Sequence, residues 1–190
     1  MHTPHVLISE EQIRRRCAAL AAEISRDYVG KNLLLVCILK GSMHFFTDLA
    51  RALTIPVEYS YLGVSSYHGD TESAGAVEFV VDLQESIEGR HVLLVEDIVD
   101  TGLTIQKVVE RLANRDAASI KLVACLDKPS RRQVPVEIDY LGFTIEDHFV
   151  VGYGLDYGQR YRNLPHIAVL DDPPPLGLSK DTSADTSTDT

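Results

Sequence analysis

Tryptophan is absent from this chain, methionine and cysteine are scarce, and no apolar run exceeds the seven residues Leu33–Leu39. That run is far short of the roughly 20 residues a membrane-spanning helix needs, so no membrane role is expected. The three cysteines, Cys17, Cys37 and Cys125, stand far apart. Their odd number and wide spacing argue against a disulfide framework and against a cysteine zinc site, and each is expected as a small core residue. Positive charge is in the minority: 18 Lys and Arg face 28 Asp and Glu, for a net charge of −10. Such a surface repels a nucleic-acid backbone but still admits a small anion held at a focused basic site. Met1 to Ser9 lacks the basic start and apolar stretch of a secretory signal, so the expected location is cytoplasmic.

What is present suits one domain. At 190 residues and 45% hydrophobic, the chain can bury one substantial core. Ser9 followed by Gln12 is a capping-box pair, and Ile13, Cys17, Leu20, Ile24 and Tyr28 share one helical face, predicting a helix over about 10–28. Leu33–Leu39 is a strand buried on both sides, as in a central parallel sheet. Phe46, Leu49, Ala50 and Leu53 have helical spacing, and Pro56 ends it. Strands are predicted from Val57 to Gly63, Val77 to Leu83, His91 to Val95 and Ser119 to Leu126. A helix over Leu103–Leu112 should turn Ile105, Val108, Val109 and Leu112 inward. This order gives an α/β domain with a mainly parallel twisted sheet flanked by helices. The polar loop from Ser65 to Gly75 is long for a compact domain, as functional loops often are. After Asp127, prolines and glycines break the chain into short pieces. The expected domain therefore spans 1–170, with a core of about 30–127 and a small hood lobe from the N-terminal segment and about 128–170. The Ser, Thr and Asp repeat in 171–190 is expected as a disordered acidic tail.

The chemistry concentrates in Val95-Glu96-Asp97-Ile98-Val99-Asp100-Thr101-Gly102-Leu103-Thr104. An apolar strand runs into two adjacent carboxylates, then a third, then a Thr-Gly-x-Thr turn that opens a helix. Ligands of open α/β sheets bind at the carboxyl ends of strands. Amides from Asp100 to Thr104, with the Thr101 and Thr104 hydroxyls, suit an anion at a helix N-terminus, and Gly102 allows close approach. Glu96 and Asp97 suit ribose hydroxyls and a hydrated magnesium ion.

This string resembles the phosphoribosyl-pyrophosphate motif of type I phosphoribosyltransferases, in the form found among hypoxanthine-guanine phosphoribosyltransferases. The resemblance extends from about residue 6 to about residue 170. It implies the type I phosphoribosyltransferase fold. It also implies that Glu96 and Asp97 hold the ribose diol and Mg2+, that Asp100 is the general acid or base facing purine N7, and that Thr101, Gly102, Leu103 and Thr104 bind the 5′-phosphate. Lys40-Gly41 resembles the family's pyrophosphate loop, in which a non-proline cis peptide presents backbone amides; here that is the Lys40–Gly41 bond. Ser66-Tyr67 is similar to the Ser-Tyr pair of the family's catalytic lid. By the same resemblance Lys128 donates to O6 of the base, Phe149 stacks on the ring and Val150 reads the base edge. Asp156 contacts the purine site and binds metal, and Arg162 reaches pyrophosphate. The histidines, His44, His68 and His148 among them, match no family role.

The implied activity is purine salvage: transfer of the phosphoribosyl group from phosphoribosyl pyrophosphate to N9 of hypoxanthine or guanine, giving IMP or GMP and pyrophosphate. A lysine donor favours 6-oxopurines, because an ammonium offers no acceptor to an amino group. The resemblance implies a homodimer or homotetramer, while the acidic charge and short apolar runs leave no nucleic-acid or membrane partner expected. The alternative is a catalytically silent nucleotide- or RNA-binding regulator on the same fold.

Overall fold

The computed structural model describes residues 4–66 and 77–171. Tyr67, His68 and, beyond Asp171, the expected tail lie outside them. Strand β1 (His5–Ile8) leads into helix α1 (Glu10–Asp27). Both halves of the capping box form: Gln12 N–H donates to Ser9 Oγ over 3.3 Å, and Ser9 N–H donates to Gln12 Oε1 over 2.9 Å. The predicted stripe of Ile13, Cys17, Leu20 and Ile24 is buried.

The main sheet has six strands: β2 (Leu33–Leu39), β3 (Glu58–Ser66), β4 (Val77–Val81), β5 (His91–Val99), β6 (Ser119–Asp127) and β7 (Tyr140–Thr144). Their order is β4-β3-β2-β5-β6-β7, and only the β3/β4 pair is antiparallel. Alternate residues of the central strands feed two cores. Leu35, Cys37, Leu93, Val95 and Val123 pack toward α1 and α2 (Met43–Ala52), with Leu20, Phe45 and Leu49. Leu34, Val36, Val92, Leu94 and Leu122 pack toward α3 (Leu103–Leu112), with Ile105, Val108 and Leu112. This period-2 division is why the central strands are apolar on both faces.

Three expectations change. Strand β5 continues past Val95 to Val99, because Glu96, Ile98 and Val99 keep their pairing with Ala124, Leu126 and Asp127. Val109 is 39% exposed rather than inward, because the buried stripe of α3 runs through 105, 108 and 112 and leaves 109 beside it. The expected hood segment of about 128–170 loses Tyr140–Thr144 to the main sheet, where β7 runs parallel to β6. Gly142 permits that closeness: a β-carbon there would lie 2.2 Å from the Cys125 carbonyl oxygen. A second, antiparallel sheet is formed by β1, β9 (Ile167–Val169) and β8 (Val150–Val151), in that order.

The chain passes from β2 outward to β3 and then returns to the other side of β2 for β5. In doubly wound sheets, ligands sit outside the strand ends at such a reversal. The loops after β2 and β5 are the two singled out from sequence.

Candidate active site

The loop after β2 is fixed from beneath. The Ser42 hydroxyl is fully buried and donates to the Ile38 carbonyl over 2.5 Å, with Cys37 Sγ 3.2 Å away. The cis bond is Leu39–Lys40, one residue before the expected Lys40–Gly41 bond. Gly41 lies against the carboxylate of Asp97, and the carbonyl of Gly41 lies against Gly154, which adopts φ +102°. Neither glycine leaves space for a side chain, so three separate segments meet here backbone to backbone or backbone to carboxylate.

Glu96 is buried, and its Oε2 has no hydrogen-bond partner among the described residues. Burial, and then the charge of Asp97 beside it, pushes the Glu96 carboxyl well above the ordinary carboxylate range. Burial also raises Asp97 to about 6, against the pull of the Ile98 and Asp97 amides and of Arg162, and with a further upward push from Asp156. The Ile98 amide donates to Asp97 Oδ1 over 2.9 Å. A pair of desolvated carboxylates favours a cation.

The turn after β5 is clamped from behind. Arg132 donates to the Asp100 carbonyl (3.1 Å) and the Val99 carbonyl (3.3 Å) and pairs with Asp127; the amides of Gln133 and Val134 both donate to the Thr101 carbonyl. Gly102 adopts φ +88° and packs against Val134 and Val136. With its carbonyls engaged on that side, the turn opens into α3, whose first-turn amides have no acceptor within the helix.

Beside this turn is a cavity of about 440 Å³ whose lining includes Ile98, Asp100, Lys128, Phe149, Val150 and Asp156. Lys128 is buried, its amide donates to the Val99 carbonyl over 3.0 Å, and its ammonium is 3.8 Å from Asp147. Phe149 is 44% exposed, edge-on to Tyr157, with its ring free to meet a flat ligand. Arg131 bridges the cavity wall, donating through Nε to Asp100 over 3.1 Å and lying 3.6 Å from Asp147. The lining mixes four apolar side chains with five charged ones, which suits a flat ligand that has apolar faces and a polar edge.

Residues 8–158 match the family described as phosphoribosyl transferase domain. Over 165 residues the chain is 48% identical to a hypoxanthine-guanine phosphoribosyltransferase of Streptococcus pneumoniae, covering 87% of this chain and 92% of that one. The chain belongs to the hypoxanthine-guanine phosphoribosyltransferase family. Its fold agrees. A crystal structure of the hypoxanthine phosphoribosyltransferase of Staphylococcus aureus superposes with a TM-score of 0.83 at 47% identity, covering 87% of this chain and 90% of that one. A Trypanosoma cruzi hypoxanthine phosphoribosyltransferase solved as a ternary substrates complex gives 0.82 at 43% identity, covering 88% and 95%.

Within this phosphoribosyltransferase, the structure brings most of the expected residues to one end of the main sheet. Gly41 lies against Asp97, Arg162 pairs with Asp156 and both act electrostatically on Asp97, and Asp100, Lys128, Phe149, Val150 and Asp156 share the cavity. Ser66 ends β3, whereas Tyr67, its partner in the lid motif, lies outside the described residues. Sequence reasoning passed over Arg131, Arg132, Asp147 and Tyr153. A signal for the first two was there: Arg131-Arg132 follows Lys128 closely in an otherwise acidic chain.

No group of three metal-binding side chains forms a ready cage among the described residues. Magnesium rarely needs one, since it is commonly held by one or two carboxylates together with waters and substrate phosphates. The unpartnered Glu96 oxygen and the adjacent Asp97 fit that pattern. Asp156 is engaged elsewhere: its carboxylate pairs with Arg162 at 2.7 Å and accepts from the Gln159 amide at 2.8 Å.

Proposed function

We propose that this chain transfers the 5-phosphoribosyl group of phosphoribosyl pyrophosphate to N9 of hypoxanthine or guanine, forming IMP or GMP and releasing pyrophosphate. The observation that carries this reading is the convergence, at one strand-end crevice, of a buried and a partly buried carboxylate, an amide-lined helix start and a cavity large enough for a heterocycle. The N9–C1 bond forms as the C1–oxygen bond to pyrophosphate breaks, and the proton released by the base passes to Asp100. Glu96 and Asp97 hold the ribose hydroxyls and Mg2+, which when bound neutralises the departing pyrophosphate. Thr101, Gly102, Leu103 and Thr104 hold the 5′-phosphate by amides and hydroxyls at the α3 N-terminus, where the helix dipole also favours an anion. Phe149 stacks on the purine, Val150 meets its edge and Lys128 donates to O6.

Arg162 and Asp156 form a pair that substrate would divide. If Arg162 turns toward pyrophosphate, it leaves one oxygen of Asp156 available to metal, which links the two roles assigned to these residues. Lys40 and Gly41 contribute the other wall of the pyrophosphate site. Self-association belongs to the same reading: Met43, Tyr59, Tyr61 and Val81 are exposed apolar side chains, a kind of surface that oligomers cover. A cytoplasmic location belongs to it too; among the described residues no helix is long and apolar enough to cross a membrane.

The test is release of pyrophosphate by the purified chain given hypoxanthine, phosphoribosyl pyrophosphate and Mg2+. Turnover with a 6-oxopurine and none with adenine is the expected result. Nucleotide or RNA binding without turnover would establish the silent regulator instead.

A further inference from the structure

Tyr153 has no part in the chemistry above, yet it occupies an unusual position. It is buried, adopts φ +50°, and lies between Gly152 at φ +95° and Gly154 at φ +102°. Such a run of left-handed residues needs holding in place. Its backbone is held by the Leu164 carbonyl, which accepts from the Tyr153 amide over 2.9 Å, while the Gly154 amide donates to Arg162 over 3.0 Å. Its side chain crosses to α2: the hydroxyl donates to Asp48 Oδ2 over 2.7 Å, and the ring stacks with His44 at 6.1 Å between centroids. His44 and Asp48 are four apart on the helix, so one helical face receives both the ring and the hydroxyl.

That helix starts directly after Lys40-Gly41-Ser42. The hood loop therefore meets the pyrophosphate loop and its helix at two points, one backbone and one side chain. Gly154 rests on the Gly41 carbonyl, and one residue away Tyr153 ties down the helix that Gly41 leads into. The Gly154 carbonyl in turn accepts from Arg162 over 2.6 Å, and Arg162 pairs with Asp156. A shift of the Tyr153 ring would move Gly154, Arg162 and Gly41 together, whereas Lys128 and Phe149 of the purine cavity are held by other contacts.

We infer that Asp48 and Tyr153 are positioning residues for the pyrophosphate half of the reaction: their hydrogen bond sets the register of the hood loop against the Lys40-Gly41 loop and so fixes Arg162 and the Gly41 amide for the leaving group. This rests on the transferase reading above. Asp48 lies at the surface, so Asp48→Ala removes the acceptor without emptying a core site. Tyr153→Phe keeps the ring and its stacking and removes only the hydroxyl.

Steady-state kinetics of the full chain with Mg2+ separate the outcomes. Each variant should raise KM for phosphoribosyl pyrophosphate about tenfold and weaken product inhibition by pyrophosphate equally, with KM for hypoxanthine unchanged. Asp48→Ala combined with Tyr153→Phe should be no worse than the worse single variant, because both remove the same bond. A lowered melting temperature with both KM values at wild-type level would make the contact merely structural and overturn the inference. An equal rise in both KM values would overturn it too. Should Tyr153→Phe not fold, Asp48→Ala alone decides. If the wild-type chain lacks transferase activity, it is the transferase reading that fails, and this result is recognisable before any variant is made.

Discussion

Asp97 occupies the space that a side chain on Gly41 would need: its Oδ2 lies 1.6 Å from where a β-carbon would stand. The two residues come from β5 and from the loop after β2, and on the proposed reading their contact sets how close the ribose and pyrophosphate ends of the substrate site can be. Gly41→Ala should turn the Asp97 carboxylate away from its place. A misplacement of about 1 Å commonly costs on the order of 10²-fold in rate. The expected result is a fall of that size in kcat/KM for phosphoribosyl pyrophosphate with a small change in melting temperature, since a carboxylate tip can rotate. Gly154→Ala differs, because its β-carbon would meet the Gly41 carbonyl oxygen at 1.9 Å. Backbone cannot rotate away, so about 3 kcal/mol of stability should be lost, measurable by urea unfolding.

Asp100 and Arg131 form a half-exposed pair on the cavity wall, and only one of them is expected to handle the proton. Asp100→Asn should lower kcat by about 10² to 10⁴-fold, the usual worth of general acid-base help. Arg131→Ala should lower it by less than about tenfold, since an exposed ion pair contributes little. Comparable losses in single-turnover rates for both variants would show that the pair acts as a unit and that the proton role is not Asp100's alone.

These residues differ in how far sequence revealed them. Leu33–Leu39 was readable because burial on both faces removes every polar residue, and Ser9 with Gln12 fixed the start of α1 by a local rule. The acids at 96, 97 and 100 were readable because three charges at a strand end have no cheap structural explanation. Strand β7 was hidden: Tyr140–Thr144 is five residues long and contains Gly142, a strand breaker that here is required by the Cys125 carbonyl. Arg132 was hidden as well, because its acceptors are the carbonyls of Val99 and Asp100, and backbone acceptors 32 and more positions away leave no mark on residue type. The cis bond fell one residue from its expected place for a related reason, since the loop motif identifies a segment but not which of its peptide bonds turns.

Lys128 offers a test of substrate choice. It is buried on the cavity wall with its ammonium 3.8 Å from a half-exposed Asp147, so its loss strands no deeply buried partner. Lys128→Met should reduce kcat/KM for hypoxanthine about 10²-fold, because a site built to donate to O6 then leaves that oxygen unpaired. The loss should be confined to the base: KM for phosphoribosyl pyrophosphate should stay at its wild-type value, and an unchanged kcat/KM for hypoxanthine would remove Lys128 from recognition of O6.

Asp82, just after β4, joins the sheet edge to the end of α3 by pairing with Arg111 at 2.7 Å and Arg115 at 2.6 Å. Burial acts to raise its carboxyl, but the hydrogen bonds from the two guanidinium groups and the Leu83 amide prevail and hold it down at about 2. In the unfolded chain an aspartate titrates near 3.9. The folded group thus keeps its charge to lower pH, so its stabilisation is fully present above about pH 4 and is lost as pH falls through about 2. The side chain is 30% exposed, and solvent screening reduces the expected contribution to about 1–2 kcal/mol. Asp82→Asn should cost that amount in urea unfolding at pH 7 and progressively less as the pH approaches 2. A penalty that is constant across this range would mean that the asparagine disrupts packing at the sheet edge, and that the depressed carboxyl is not what stabilises it.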